Sequence, residues 1–194
     1  MDLDTHLKAH GAMPEKEARG VMVQLWSALR YLNSRADRVI HYDLKPGNLM
    51  YHKGNVKLTD FGLAKIVENS GSGETVELTS QGAGTYWYLP PECFQENASS
   101  SVRISNKVDV WSAGVIFYEL LFARKPFGQG MSQEHLMRSG HMQSNPILEF
   151  PPNVKESKVS KEAREYIRQL LTLDKLKRPD VFDASNDPYI RKPV

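Results

Sequence analysis

The run His41-Tyr42-Asp43-Leu44-Lys45-Pro46-Gly47-Asn48, followed further along by Asp60-Phe61-Gly62, decides how this chain is interpreted. Asp43 and Asn48 stand five residues apart, and Asp60 adds a second carboxylate. Carboxylate and amide oxygens are hard ligands of the kind that magnesium prefers. Aspartate, asparagine, glycine and proline also dominate ordinary turns, so either run alone indicates little. The indication comes from both runs occurring in this order.

Two short apolar segments separate these runs. Residues 49–51 and 56–59 flank Lys53-Gly54-Asn55, whose residue types favour a turn. This pattern predicts a β-hairpin. The hairpin would bring together Asn48 and Asp60, which flank it.

Three segments have the periodicity or the caps of helices. Pro14 suits the first turn of a helix. Apolar residues at helical spacing follow on one predicted face, namely Ala18, Met22, Leu25, Leu29 and Leu32. Ser105 is predicted to cap a second helix, which runs through Trp111 to about Leu121 and is apolar over most of its circumference. Ser160 is predicted to cap a third helix, whose buried face would hold Ala163, Tyr166, Ile167, Leu170 and Leu171.

The segment 60–92 has no sustained hydrophobic period and is rich in Gly, Ser and Thr. A loop of this length in a compact domain is usually functional or disordered, so a lid or activation segment is expected. Taken together, the segments predict a mostly helical unit with one small hairpin.

The composition is that of a soluble globular domain and excludes several classes of protein. The formal net charge of +2 is spread along the chain and gives no basic surface for nucleic acid or membrane. Cys93 is the only cysteine, which excludes a disulfide framework and favours a reducing compartment. The longest apolar run, around 115–118, is too short to span a bilayer.

The two opening runs, with Pro90-Pro91-Glu92 further along, resemble the motifs of protein kinases. The resemblance makes residues 41–48 a catalytic loop and residues 60–92 an activation segment. It implies that 1–194 is the C-terminal, large lobe of the eukaryotic protein-kinase-like α+β fold. Lysine at position 45 is the pattern of serine/threonine kinases.

The resemblance also implies roles for single residues, with ATP and Mg²⁺ as cofactors. Asp43 would orient the substrate hydroxyl and accept its proton, while Lys45 would neutralise the transferring phosphate. Asn48 and Asp60 would bind magnesium, and Met50 would contact the adenine ring. The hydroxyl of Thr85 would bridge Asp43 and Lys45.

Two further residues receive structural roles from the same resemblance. Glu92 would pair with Arg178 in a buried ion pair. Asp109 would hold the backbone of the catalytic loop. The alternative for Asp109 is an ordinary aspartate in a first helical turn, which the helix dipole favours.

Within the kinases, residues 82–94 and 104–112 closely resemble the tousled-like serine/threonine family, and the resemblance runs from Asp2 to Tyr189. It implies a nuclear enzyme of chromatin assembly, with histone chaperones of the anti-silencing type as protein substrates. Direct binding of nucleic acid or membrane is not expected.

Tyr42 stands where most kinases carry an arginine that pairs with a phosphorylated activation loop. Its presence predicts that phosphates on Thr75, Thr79 or Ser80 are not read through that contact. The hypothesis is that the activation segment is held by its own packing.

The small N-terminal lobe of a kinase, with its glycine-rich loop and phosphate-binding lysine, is not found in the sequence. Two functions therefore remain open. The first is a kinase that is active in its full-length context. The second is a truncated, inert lobe that binds substrates or a full-length kinase partner through its docking loop, residues 84–92, which resemble the substrate-docking loop of kinases.

Overall fold

The computed structural model describes residues 1–67, 75–78, 83–94, 102–152 and 159–193. The helices are α1 (Leu3–His10), α2 (Glu15–Ser34), α3 (Lys107–Phe122), α4 (Gln133–Arg138), α5 (Lys161–Leu170), α6 (Val181–Asn186) and α7 (Pro188–Arg191). The strands are β1 (Arg38–Ile40), β2 (Leu49–His52), β3 (Asn55–Leu58), β4 (Lys65–Val67), β5 (Val76–Glu77) and β6 (Arg103–Ile104). Short 3-10 turns cover Pro46–Asn48, Tyr86–Tyr88 and Pro91–Phe94.

Helix α3 lies at the centre of the fold, as its apolar circumference predicts. Every residue from Val108 to Leu121 is buried, because α2, α5 and α6 pack around it. The contact with α5 is close at Gly114, where an added Cβ would lie 2.8 Å from the Cβ of Leu170. A helix that is hydrophobic on all sides has to be buried in this way.

Helix α2 presents the predicted stripe to α3 and α6. Four of its five predicted residues, Ala18, Met22, Leu25 and Leu29, are at most 1% exposed. The fifth, Leu32, is partly buried at the edge of the core. The carboxylates of Glu15 and Glu17 lie in the first turn, where the helix dipole favours negative charge.

The predicted hairpin is confirmed. Strands β2 and β3 are antiparallel, and the last pair, His52 with Asn55, leaves Lys53 and Gly54 as a two-residue turn. Both turn residues have positive φ, at 48° and 79°. This is the conformation of a type I′ turn, whose twist matches that of the strands.

The described part of the chain also contains two strand pairs that the sequence did not predict. Strand β1 pairs with β4, and β5 pairs with β6, both antiparallel. These strands are only two or three residues long, which is too short for a hydrophobic period to be recognised. Their partners are also distant along the chain.

Helix α3 begins one residue later than the predicted cap at Ser105 requires. The helix begins at Lys107 after Asn106, while the hydroxyl of Ser105 accepts the N–H of Lys107 at 3.4 Å. The predicted cap of α5 is confirmed, because the hydroxyl of Ser160 accepts the N–H of Ala163 at 3.1 Å.

Among the described residues, none of the helices combines the length and the apolar character needed to cross a bilayer. Thr79 and Ser80 of the predicted activation segment lie outside the described residues.

Candidate active site

The catalytic-loop backbone is held by Asp109 in the first turn of α3. The two carboxylate oxygens of this fully buried residue accept the N–H groups of His41 at 2.8 Å and Tyr42 at 2.9 Å. Hydrogen bonds to a charged group contribute about 1.5–3 kcal/mol each. Burial raises the pKa of Asp109, and the two N–H donors oppose that shift. The carboxylate of Asp109 therefore holds the backbone of the loop at residues 41 and 42, as the kinase resemblance implies.

Asp43, Lys45 and Thr85 form a triangle of hydrogen bonds. The ammonium of Lys45 donates to Asp43 Oδ2 at 2.7 Å and to the Thr85 hydroxyl at 3.1 Å. The same hydroxyl donates to Asp43 Oδ1 at 3.0 Å. Residues 40 positions apart are therefore joined around one carboxylate, which is 7% exposed.

The side chain of Asn48 is bonded to the same aspartate. Its amide nitrogen donates to the backbone oxygen of Asp43 at 2.8 Å and to Asp43 Oδ2 at 3.2 Å. Because the NH₂ group of an amide only donates, the oxygen Oδ1 is the atom of Asn48 that can bind a cation.

Thr59 joins the two ends of the hairpin. Its N–H and its hydroxyl both donate to the backbone oxygen of Asn48, at 2.9 Å and 3.0 Å. His41 Nε2 lies 3.0 Å from the Thr59 carbonyl, so Nε2 carries a proton in this contact. The next residue, Asp60, is exposed, has φ +59°, and accepts the N–H of Gly62 at 3.2 Å. The role of Thr59 was not predicted from the sequence. Its position directly before Asp60 is the only sequence signal that could have indicated this role.

The side-chain oxygens of Asn48 and Asp60 are ligands of the kind that a magnesium ion binds. Magnesium is usually held by one or two protein oxygens, together with water and substrate phosphates. Within the described ranges, no cluster of three or more His, Cys, Asp or Glu side chains is placed to hold a metal.

An apolar face lies beside these groups. Met50 in β2 is 44% exposed and Phe61 is 47% exposed. The Phe61 ring meets the His41 ring edge-on, with centroids 4.9 Å apart. Strand β2 is fixed on its other side, because Tyr51 donates its N–H to the Met1 carbonyl at 2.8 Å.

The docking loop that carries Thr85 is fixed to the helices below it. Gly84 has φ +102°, a backbone conformation that residues with a side chain rarely adopt. The Tyr86 N–H donates to Gln133 at 2.8 Å, and the Ser112 hydroxyl donates to the Tyr88 carbonyl at 2.7 Å.

The predicted ion pair between Glu92 and Arg178 is confirmed. The guanidinium donates to both carboxylate oxygens, at 2.7 Å and 3.0 Å, and is 1% exposed. It also donates to the backbone oxygen of Thr172 at 2.9 Å. Breaking a buried pair of this kind typically costs about 3–5 kcal/mol.

Tyr42 packs beneath the docking loop. Its side chain is 1% exposed, and an added Cβ at Gly84 would lie 3.5 Å from its Cε1. Its hydroxyl lies beside the thiol of Cys93. Burial raises the pKa of both Tyr42 and Cys93. Position 42 is thus part of the core under the loop.

Comparisons with known proteins agree with this geometry. The protein kinase domain family matches residues 1–190. The serine/threonine-protein kinase TOUSLED of Arabidopsis thaliana is 50% identical over 190 residues, covering 97% of this chain and 27% of that protein. The human serine/threonine-protein kinase tousled-like 1 is 48% identical over 194 residues, covering 97% of this chain and 25% of its own length.

A third relative is less similar to this chain. The tousled-like 1 kinase of Caenorhabditis elegans is 42% identical over 196 residues, which is 98% of this chain and 20% of that protein. The chain therefore spans about a quarter of the length of the curated relatives it matches. The chain belongs to the protein kinase domain family, and within that family it is similar to the tousled-like serine/threonine kinases.

Proposed function

We propose that this chain is the large lobe of a serine/threonine protein kinase, which transfers the γ-phosphate of ATP to protein hydroxyls. The observation that carries the proposal is the triangle of Asp43, Lys45 and Thr85, with distances of 2.7–3.1 Å. Phosphoryl transfer depends almost entirely on positioning and on charge stabilisation, and this triangle can supply both.

Asp43 would act on the substrate hydroxyl. The hydroxyl oxygen forms a bond to the γ-phosphorus as its proton passes to the Asp43 carboxylate. The bond from the γ-phosphorus to the bridging oxygen of the β-phosphate breaks, and ADP leaves with that electron pair. The ammonium of Lys45 lies 2.7 Å from Asp43, where it would offset negative charge on the transferring group.

The remaining residues would hold the nucleotide. Asn48 Oδ1 and the Asp60 carboxylate would bind Mg²⁺, and Met50 would form the floor under the adenine ring. Magnesium, when bound, supplies positive charge that offsets the charge of the phosphate oxygens. The bonds from Thr59 to the Asn48 carbonyl support this set, since they join the two ends of the hairpin.

A transfer assay tests the activity. The purified protein is incubated with Mg²⁺, γ-labelled ATP and a peptide that has one serine, and phosphoserine is quantified. The proposal expects transfer that falls by about 10²–10⁴ in the Asp43→Asn variant, which is the usual contribution of a general base. Equal transfer by Asp43→Asn and by the unaltered protein would overturn the role of Asp43.

The proposal extends to a nuclear role in chromatin assembly, with a histone chaperone as protein substrate. This part of the proposal is tested by incubating the active enzyme with a histone chaperone of the anti-silencing type and mapping the phosphorylated residues. Absence of any phosphorylated serine or threonine in the chaperone would contradict it.

A second function is favoured by the exposed apolar face at Met50 and Phe61, which are 44% and 47% exposed. An adenine site normally encloses its ligand, so a lobe with this face open could serve as a binding module that engages substrates or a full-length kinase. The two functions are separated by adding the isolated chain to an active relative. A binding module lowers phosphorylation of the shared substrate without binding ATP itself.

A further inference from the structure

A lysine lies against the docking loop close to the proposed transfer site. The ammonium of Lys125 is 5.2 Å from the centre of the Trp87 ring and 5.9 Å from that of Tyr88. It also pairs with Glu119 Oε1 at 3.2 Å. The backbone N–H of Lys125 donates to Gln129 at 2.7 Å, which fixes the start of this side chain.

Of the two charged groups in this cluster, the cation is the more exposed. The side chain of Lys125 is 26% exposed and that of Glu119 is 11% exposed. The second oxygen of Glu119 accepts the Tyr88 hydroxyl at 2.6 Å. The carboxylate therefore has two donors and little surface, whereas an ammonium has three N–H donors to share. A molecule that approaches this part of the loop meets a positive group beside an indole face.

The cluster lies within reach of a bound substrate. Thr85, which is bonded to Asp43 and Lys45, is two residues before Trp87. Two residues of chain span at most about 7 Å. The Trp87 indole N–H donates to the Met131 carbonyl at 3.2 Å, so the ring is held in place. A peptide whose hydroxyl reaches Asp43 would therefore run close to the backbone of Trp87, the residue whose ring Lys125 contacts.

We infer that Lys125 and Trp87 form a subsite for an acidic side chain of the protein substrate, within two residues of the phosphorylated hydroxyl. This inference rests on the proposed kinase function. Without Lys125, the buried Glu119 would favour a basic side chain. With Lys125 paired to it, the Glu119 carboxylate is occupied, and the more exposed ammonium of Lys125 is the group left to meet the substrate, which favours a carboxylate over lysine and arginine.

The test uses labelled peptides that have one serine and carry Glu, Gln or Lys at each of three positions on either side. Binding is measured by fluorescence anisotropy, and phosphorylation is measured in parallel. At one position within two residues of the serine, Glu should bind about five- to tenfold more tightly than Lys, as expected for a partly exposed ion pair. The preference should persist in Lys125→Arg, reverse in Lys125→Gln because Glu119 is then unpaired, and reverse more strongly in Lys125→Glu.

Lys177→Glu is the matched control. It changes the net charge equally, but Lys177 is 80% exposed and lies near the opposite end of α3, where Lys107 bonds to Leu176. The control should keep the preference for Glu. A preference for Lys, no difference between the peptides, or no binding of any peptide would overturn the inference. Charge selectivity in binding without any phosphorylation would instead contradict the proposed function and leave the subsite standing.

Discussion

Thr85 holds both charged groups of the candidate site with a single hydroxyl. It donates to Asp43 at 3.0 Å and accepts from Lys45 at 3.1 Å. Valine has nearly the same shape but no hydroxyl, so Thr85→Val leaves both groups without this partner. Each lost bond to a charged group is worth about 1.5–3 kcal/mol.

We expect Thr85→Val to lower the transfer rate by about tenfold or more, since each 1.4 kcal/mol is a factor of ten. Thr85→Ser keeps the hydroxyl and should keep a rate within a few-fold of the original. The comparison is made by steady-state transfer to one peptide. Equal rates in the valine and serine variants would show that the hydroxyl is not needed.

Tyr42 occupies the position from which an arginine would read a phosphorylated activation segment. The tyrosine is buried beneath Gly84, and a phenol carries no positive charge, so it offers no cation to a phosphate. The hydroxyl of Thr75 accepts a hydrogen bond from Arg103 at 2.9 Å, so its partner is not residue 42. We expect phosphatase treatment to change the transfer rate by less than about tenfold, because position 42 offers no cation to a phosphate. A rise of several orders of magnitude on phosphorylation would refute this.

Cys93 should be a poorly reactive thiol. Burial raises its pKa above the ordinary value, so less thiolate is present at pH 8 than in a free cysteine. Because the folded state keeps the proton, raising the pH above about 8.5 favours the unfolded chain at this group. A thiol reagent should therefore react at least tenfold more slowly with the folded protein than with the protein in denaturant. Similar rates would contradict the buried contact with Tyr42.

At the scale of the elements, two helical glycines have opposite surroundings. An alanine Cβ at Gly114 in α3 would lie 2.8 Å from Leu170, whereas one at Gly20 in α2 would meet nothing within 4 Å. We expect Gly114→Ala to lower the free energy of unfolding by about 1–3 kcal/mol through overpacking. Gly20→Ala should raise it by about 0.5–1 kcal/mol, because alanine is the better helix former. Urea unfolding measures both, and equal shifts would contradict the close packing of α3 on α5.

The elements that could be predicted from sequence are those with a local signal. The stripe of α2, the cap of α5 at Ser160, and the hairpin turn at Gly54 each depend on residues close together in the chain. The pairing of β1 with β4 and of β5 with β6 depends on contacts between distant segments, so no local pattern marks it. The cap of α3 was misplaced by one residue, since Ser105 and Asn106 are both good capping residues.

The candidate site was predicted in part for the same reason. Asp43, Asn48 and Asp60 stand in a recognisable order, so their residue types were found directly. The link through Thr59 was missed, because its role depends on the backbone of Asn48 and on the His41 ring. The position of Lys125 against Trp87 was likewise beyond the sequence, since only the fold brings residues of α3, the docking loop and the segment after α3 together.

At the scale of the whole molecule, the fold brings the ends of the hairpin, the docking loop and α3 to one place. Asp109 holds the catalytic loop from inside α3, and Glu92 with Arg178 holds the docking loop. The proposed phosphoryl transfer requires a bound cation, and Asn48 and Asp60 are the residues proposed to hold it.

The most direct test of the magnesium and phosphate site is a calorimetric titration of ATP into the purified chain, with and without Mg²⁺. The expected result is binding that depends on Mg²⁺ and weakens at least tenfold in Asp60→Asn. Glu134→Gln, which removes an exposed carboxylate in α4, serves as the control and should bind like the original chain. ATP binding that is equal with and without Mg²⁺, binding that Asp60→Asn leaves unchanged, or no detectable binding would contradict the proposed site.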